Sequence, residues 1–345
     1  MGTERRVLVI YTGGTIGMMK DAETGALAPI NFERLREMLP EVNQLGVEVE
    51  AVAFDEPIDS GNMDLSHWTA LAKIIEQHYE AFDGFVILHG SDTMAFTAAA
   101  LSFMLINLSK PVILTGSQLP IGMVRTDGRE NVITSVEIAA AYDGDYAVVP
   151  EVAVYFESEL YRGNRTYKRN TQHFQAFQSP NYPVLAEAGV RIKYRREFIR
   201  TYEGGVFRID PSMDNRIAVL TLFPGISEHI VEAALNVKNN KALIIRTYGS
   251  GNAMSHPWFI RALTEAGERG LILINSTQCR GGGVSQGTYE TSTGLVRAGL
   301  ISAGDMMLEA ALVKAMYLMG SGLEGEDFKK IFQTDLRGEM TVSQY

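Results

Sequence analysis

Short runs of aliphatic and β-branched residues recur along the chain, each closing on glycine or a small polar residue. They cover residues 6–11, 84–89, 111–115 and 151–156, and later 216–222, 243–247 and 271–275. Continuous apolar runs of this length read as strands buried on both faces. Between them, apolar residues fall three and four apart: Trp68, Leu71, Ala72, Ile75 and Tyr79 in one segment, Phe259, Leu263 and Ala266 in another. That spacing predicts amphipathic helices. Strands alternating with helices imply an α/β fold with mainly parallel sheets, whose ligands sit at the carboxyl ends of the strands.

The pattern lapses over residues 191–215, RIKYRREFIRTYEGGVFRIDPSMDN, which are charged and contain Gly-Gly and Asp-Pro. This stretch reads as an interdomain connection or a hairpin. It divides the chain into a larger N-terminal α/β domain (1–191), a linker (192–215) and a smaller C-terminal α/β domain (216–345). A chain of 345 residues can supply a core to each.

Composition narrows the partners. Hydrophobic residues at 46% and charged residues at 21% are those of a soluble globular protein. A net charge of −10 argues against a nucleic-acid binder, which needs a basic surface, but leaves small zwitterions open. No run reaches the roughly 18 apolar residues that span a bilayer. The N-terminal MGTERRVLVIYTGG has too short an apolar core for a signal peptide. With Cys279 the sole cysteine, no internal disulfide forms, and a reducing, cytoplasmic setting is expected. The six histidines show no ligand spacing and read as mostly surface or capping residues, so no metal or cofactor is expected.

The candidate chemistry lies where strands end. In VIYTGGTIGM, two glycines let the backbone turn sharply after the first strand and present Thr15. The run is neither a dinucleotide fingerprint nor a P-loop, so it suits a hydroxyl nucleophile better than a phosphate. In HGSDTM, Ser91, Asp92 and Thr93 follow the strand at 84–89. They form either an N-cap cluster for the helix begun by MAFTAAALSFML or part of a site. YRGNRTYKRN supplies Lys168, a surface charge or, if desolvated beside hydroxyls, a proton acceptor. Asp59-Ser60 in DEPIDSGNMD is either turn chemistry or a ligand contact, and TGSQLPIGMVRTDGREN follows another strand. No H-E-x-x-H or paired C-x-x-C is present, which with the lack of histidine spacing disfavours a zinc enzyme and a Ser-His-Asp hydrolase.

Taken together, YTGGTIGM and HGSDTM some 75 residues apart, followed in order by YRGNRTYK, YGSGNA and LRGEMT, resemble the signatures of the L-asparaginase family. IDSGNM, TGSQLP and DGREN also fall in their expected places. The resemblance spans nearly the whole chain and is nearest the cytoplasmic, type I bacterial branch. It implies an asparaginase-like pair of α/β domains and hydrolysis of L-asparagine to L-aspartate and ammonia through an acyl-enzyme. Position by position it implies Thr15 as nucleophile, with Ser91, Asp92 and Lys168 polarising it or the hydrolytic water. Asp59, Ser60, Ser91, Asp92, Ser117 and Asn252 would hold the substrate. Backbone N–H groups of the Thr15 and Ser91 loops are candidate oxyanion donors. A homodimer or a homotetramer is implied, Asn252 and Tyr289 contributing across the subunit interface.

Two departures stand out. The loop after the nucleophile, MMKDAETGALAPI, lacks the tyrosine that the secreted branch places there. Tyr289 is the candidate replacement, and Tyr11 is expected to pack at its strand end. Arg246, Thr277 and Cys279 match an allosteric asparagine site of some type I enzymes. Bulky Tyr167 stands where those enzymes place a threonine, and a phenol there would fill the effector pocket. Glutamine, one methylene longer, is discriminated by only about 1–3 kcal/mol on size alone, so weak glutaminase activity stays within reach. Alternatives are an asparagine sensor without turnover, and the amidase subunit of a tRNA-dependent amidotransferase. The first is disfavoured by retention of Thr15, Asp92 and Lys168. The second is disfavoured because its additional N-terminal domain has no room before the first catalytic loop.

Overall fold

The computed structural model describes residues 5–20, 27–29, 37, 39–285 and 290–342. The chain divides into two compact units, Met1–Pro211 and Ser212–Tyr345.

Among the described residues, the first unit is built on an eight-stranded sheet: β1 (Arg5–Gly13), β2 (Val47–Ile58), β3 (Gly84–Leu88), β4 (Val112–Thr115), β5 (Val152–Phe156), β6 (Glu159–Arg162), β7 (Ala186–Ala188) and β8 (Ile192–Tyr194). The spatial order is β8-β7-β6-β5-β4-β3-β1-β2. The five strands from β2 to β5 are parallel, and β6, β7 and β8 extend the sheet antiparallel. Helix α1 (Leu65–His78) starts in a capping box, Asp64 accepting from the Ser66 and His67 amides, and buries Trp68, Leu71, Ala72 and Ile75. Helices α2 (Met94–Met104) and α3 (Gly128–Ala139) follow β3 and β4. Val7, Val9, Val86, Ile113 and Val136 belong to the core on one side of the sheet.

The order reverses at β1: the chain goes from β1 out to the edge strand β2, then returns to β3 on the other side. A parallel sheet opens a crevice at such a reversal, outside the carboxyl ends of the flanking strands. The loops carrying Thr15 and Ser91 leave from those ends.

Part of the stretch expected as a linker is paired into the first unit. Ile192–Tyr194 closes a hairpin with β7, and Arg208–Ile209 pairs with Leu105–Ile106. The second unit carries a four-stranded parallel sheet, β9 (Ile217–Thr221), β10 (Ala242–Thr247), β11 (Ile272–Thr277) and β12 (Ile301–Ser302), paired in that order. Leu243, Phe259 and Leu273 pack on one face, and Ile244, Ile274, Leu318 and Phe328 on the other. Fully buried Lys314 and Glu339 pair at 2.5 Å, Glu339 also accepting the Leu336 and Arg337 amides of LRGEMT.

Candidate active site

The loop after β1 begins with Gly13 and Gly14 at φ of +125° and +87°. A Cβ on Gly13 would lie 2.3 Å from the Ile58 carbonyl oxygen, and one on Gly14 would lie 2.5 Å from the Gly90 Cα. Only glycine permits both the conformation and the approach. Thr15 follows at once, half-buried, in a single turn that the Gly17 amide closes on the Gly14 carbonyl. Below it, the Thr12 hydroxyl donates to the Leu88 carbonyl at 3.0 Å and ties β1 to β3.

The loops after β2 and β3 interlock in the same way. A Cβ on Gly90 would lie 2.5 Å from Ser60 Oγ, so Ser60, 4% exposed, packs directly on the Gly90 backbone. The Thr93 hydroxyl donates to the Ser60 carbonyl at 2.7 Å. Of the two readings left open for this cluster, the side-chain cap on α2 is not formed. Thr93 occupies the N-cap position, but its hydroxyl is committed to Ser60 and makes no capping bond. Asp59 instead closes its own turn, accepting from the Gly61 amide at 2.9 Å, with its side chain open to solvent.

Lys168 reaches this cluster from a short strand, Tyr167–Lys168, paired with Phe177–Gln178. Its ammonium donates to Ser91 Oγ at 2.7 Å and to Asp92 Oδ1 at 2.7 Å. Its side chain is 15% exposed, against 69% for that of Asp92. The Ser91 hydroxyl hydrogen points to Gln118 Oε1 at 3.4 Å, and the Gln118 amide donates to the His173 carbonyl at 3.0 Å. Asp127 accepts the Gln118 and Leu119 amides, holding the TGSQLP loop. In that loop Ser117 is 2% exposed, and its hydroxyl has no partner among the described residues.

The structure thus gathers Thr15, Ser60, Ser91, Asp92 and Lys168, with Asp59 on the adjoining turn and Ser117 on the loop that carries Gln118. Gln118 is the residue that sequence reasoning passed over, although it lay inside a quoted motif. His89 is the exception among histidines expected to be mostly surface or capping groups: it is wholly buried, and burial pushes its pKa down to about 4. Its position at the end of an unbroken apolar run was the available signal. Tyr11 packs at its strand end, its hydroxyl donating to the Gly17 carbonyl while burial pushes its pKa up to about 12.

Asn252, Arg246, Thr277 and Cys279 belong to the second unit. Asn252 forms a tight turn with Tyr248 after β10. The Thr277 hydroxyl donates to the Gly249 carbonyl at 2.5 Å and accepts the Cys279 amide at 3.0 Å. Cys279 is exposed, and burial lowers the pKa of Arg246, with Arg280 adding to the effect. Tyr167, in the first unit, is 7% exposed and donates to Gln178 at 3.1 Å. Tyr289 lies outside the described residues.

Such a fold and site define a two-unit α/β protein with hydroxyl, carboxylate and lysine groups gathered where parallel strands end. Residues 6–200 match the model of the asparaginase N-terminal domain, and residues 216–332 that of the glutaminase/asparaginase C-terminal domain. The chain is 41% identical to L-asparaginase 1 of Escherichia coli strain K12, covering 98% of both chains. It is 40% identical to the 60 kDa lysophospholipase of Mus musculus over 99% of this chain and 64% of that one. The fold superposes on the crystal structure of L-asparaginase I from Vibrio cholerae with a TM-score of 0.90 and 39% identity, covering 99% of this chain and 100% of the other. The chain belongs to the asparaginase family.

Proposed function

We propose that the chain is a cytoplasmic L-asparagine amidohydrolase with Thr15 as its nucleophile. The observation that carries the reading is the Ser91–Asp92–Lys168 set, placed by the Gly14–Gly90 contact against the Thr15 loop. Thr15 Oγ1 attacks the side-chain amide carbon of asparagine, giving a tetrahedral oxyanion. That oxyanion collapses with cleavage of the C–N bond, and ammonia departs with the proton drawn from the threonine. Water then attacks the resulting ester and releases aspartate and Thr15. Ser91 and Lys168 form the hydroxyl–amine pair that carries the proton in each half, and Asp92 orients the lysine.

The substrate is a zwitterion, which needs a carboxylate facing its ammonium and neutral donors facing its carboxylate. Asp92 and Asp59 supply the first, and Ser60, Ser91 and Ser117 the second, with the orphan Ser117 hydroxyl ready for a partner. Asn252 and Tyr289 would complete the site from a neighbouring copy in a homodimer or a dimer of dimers. Tyr289 would assist Thr15, and Tyr289→Phe should then lower kcat more than it raises KM. Arg246, Thr277 and Cys279 are the effector candidates, and a hyperbolic rate curve over the full asparagine range would remove them.

Steady-state ammonia release from asparagine and from glutamine tests the reading, with fatty-acid release from a lysophospholipid as a third arm. Release from asparagine with weaker release from glutamine is expected. A chain that binds asparagine but liberates no ammonia is a sensor, and one that cleaves only the lipid ester shares the activity for which the mouse relative is named.

A further inference from the structure

His89 directly follows β3, fully buried, and precedes Gly90. Its ring Nδ1 lies 2.6 Å from the Gly90 carbonyl oxygen, and its Nε2 lies 2.9 Å from Thr97 Oγ1 on α2. Trp68 of α1 donates its indole N–H to the same Thr97 oxygen at 3.0 Å. These contacts admit one proton arrangement, because an indole only donates and a carbonyl oxygen only accepts. Facing only a carbonyl oxygen, Nδ1 carries the ring proton and donates to Gly90. In the neutral ring Nε2 is then the acceptor and takes the Thr97 hydroxyl hydrogen, while the Thr97 oxygen accepts from Trp68. Burial favours this neutral ring.

The consequence lies one peptide bond further on. In a trans peptide the carbonyl and the following N–H point in opposite directions. With the Gly90 carbonyl drawn inward to the imidazole, the Ser91 N–H faces out of the core, at the strand-end crevice. Among the described residues that N–H has no acceptor. Gly14, whose loop presents Thr15, packs against Gly90 on the same segment.

We propose that His89 is the positioning residue of an oxyanion donor, aiming the Ser91 N–H at the oxygen of the carbonyl that Thr15 attacks. The inference rests on the amidohydrolase reading above. Thr97 and Trp68 hold the tautomer that makes Nδ1 the donor. An oxyanion donor acts on the transition state and is effective only when held within about 2.7–3.1 Å of the developing charge, so misaiming it lowers kcat and spares KM.

The test is steady-state ammonia release from asparagine by the native chain and four variants. Asparagine at 89 keeps an N–H near the Nδ1 position, whereas glutamine reaches toward the Nε2 position. His89→Gln and Thr97→Val should lose about tenfold to a hundredfold in kcat with KM little changed, while His89→Asn and Thr97→Ser stay within about fivefold of native. Equal kcat in the Asn and Gln variants, or losses confined to KM, would overturn the proposal. If the His89 variants do not fold, the near-isosteric Thr97→Val and Thr97→Ser pair decides, and equal kcat there overturns it as well. A native chain that releases no ammonia brings down the amidohydrolase reading itself, and this positioning role with it.

Discussion

Lys168 Nζ lies 2.7 Å from both the Ser91 hydroxyl and the Asp92 carboxylate. With the Asp92 side chain 69% exposed, the ion pair adds little to stability, since solvent screens it. Its value is in orientation. Lys168→Met should therefore leave the melting temperature nearly unchanged and lower kcat by about 10²–10⁴, the usual worth of a positioned acid–base group. Steady-state kinetics beside a thermal melt separates the two effects, and a kcat within a factor of a few of native would take Lys168 out of the mechanism.

Ser91 poses a finer question, because it carries the hydroxyl without a γ-methyl. The missing methyl leaves χ1 free, since β-branching is what restricts that rotation. Here Lys168 and Gln118 bracket the hydroxyl from two sides and do part of the same work through hydrogen bonds. Ser91→Thr should keep or raise kcat, and Ser91→Ala should lower it severely. A Thr variant that is inactive although folded would show that the added methyl has no room.

Thr15→Ala removes the attacking oxygen while costing little packing, since the residue is only half-buried on a loop. Ammonia release should fall to background while the circular dichroism spectrum and melting temperature stay native. Retention of most of the activity would assign the nucleophile elsewhere.

Much of this architecture could be read directly from residue order. Strands β1, β3, β4, β5, β10 and β11 appear as unbroken apolar runs because both of their faces are buried. β9 shows a similar run although it is a half-exposed edge strand. The edge strand β2 escaped notice: its alternating VEVEAVAFDEPI is half-exposed, and its burial comes from one face only. The β5–β6 hairpin was also hidden, since its turn is Glu157–Ser158 at φ of +42° and +70°, without the glycine or asparagine that marks such turns. At the site, Thr15, Ser91 and Lys168 were legible as motifs. Their convergence was not, because it depends on contacts between distant glycine backbones and on hydrogen bonds spanning 77 residues. That His89 alone of the six histidines is buried was not legible, because an isolated histidine carries no periodicity of its own.

Gly14 is the position where loop geometry is most tightly constrained. Gly14→Ala would place a methyl 2.5 Å from the Gly90 Cα at a φ of +87°, so backbone must move against backbone. The conformation alone costs roughly 1–2 kcal/mol for a residue with a Cβ. Separating the Thr15 loop from the Ser91 loop should remove nearly all ammonia release with only a modest drop in melting temperature. Wild-type kcat in this variant would show that the two loops need not touch.

Lys314 and Glu339 test a different part of the molecule, because both are fully buried. Removing one partner strands a charge, and Lys314→Met should destabilise the second unit by about 3–5 kcal/mol. The double variant Lys314→Met, Glu339→Gln leaves no charge and keeps an acceptor for the Leu336 and Arg337 amides. Chemical denaturation should find it more stable than the single variant. If the double variant is the weaker of the two, the pair itself contributes more than its desolvation removes.

His89 gives a pH signature distinct from the catalytic one. Burial lowers its pKa from 6.5 to about 4, so the folded state disfavours the imidazolium. The sign follows from linkage: above pH 6.5 both states are neutral and the contribution is fully present. As pH falls below 6.5 the unfolded chain takes up a proton that the folded chain refuses, and stability declines until the folded ring titrates near pH 4. Between pH 7 and pH 4.5 this one residue should account for roughly 2–3 kcal/mol of lost stability. His89→Asn has no titrating ring, so its unfolding free energy should fall less over that interval by about the same amount, whatever the other groups contribute. Parallel pH profiles for the two proteins in denaturant titrations would mean that His89 is not held neutral in the folded chain.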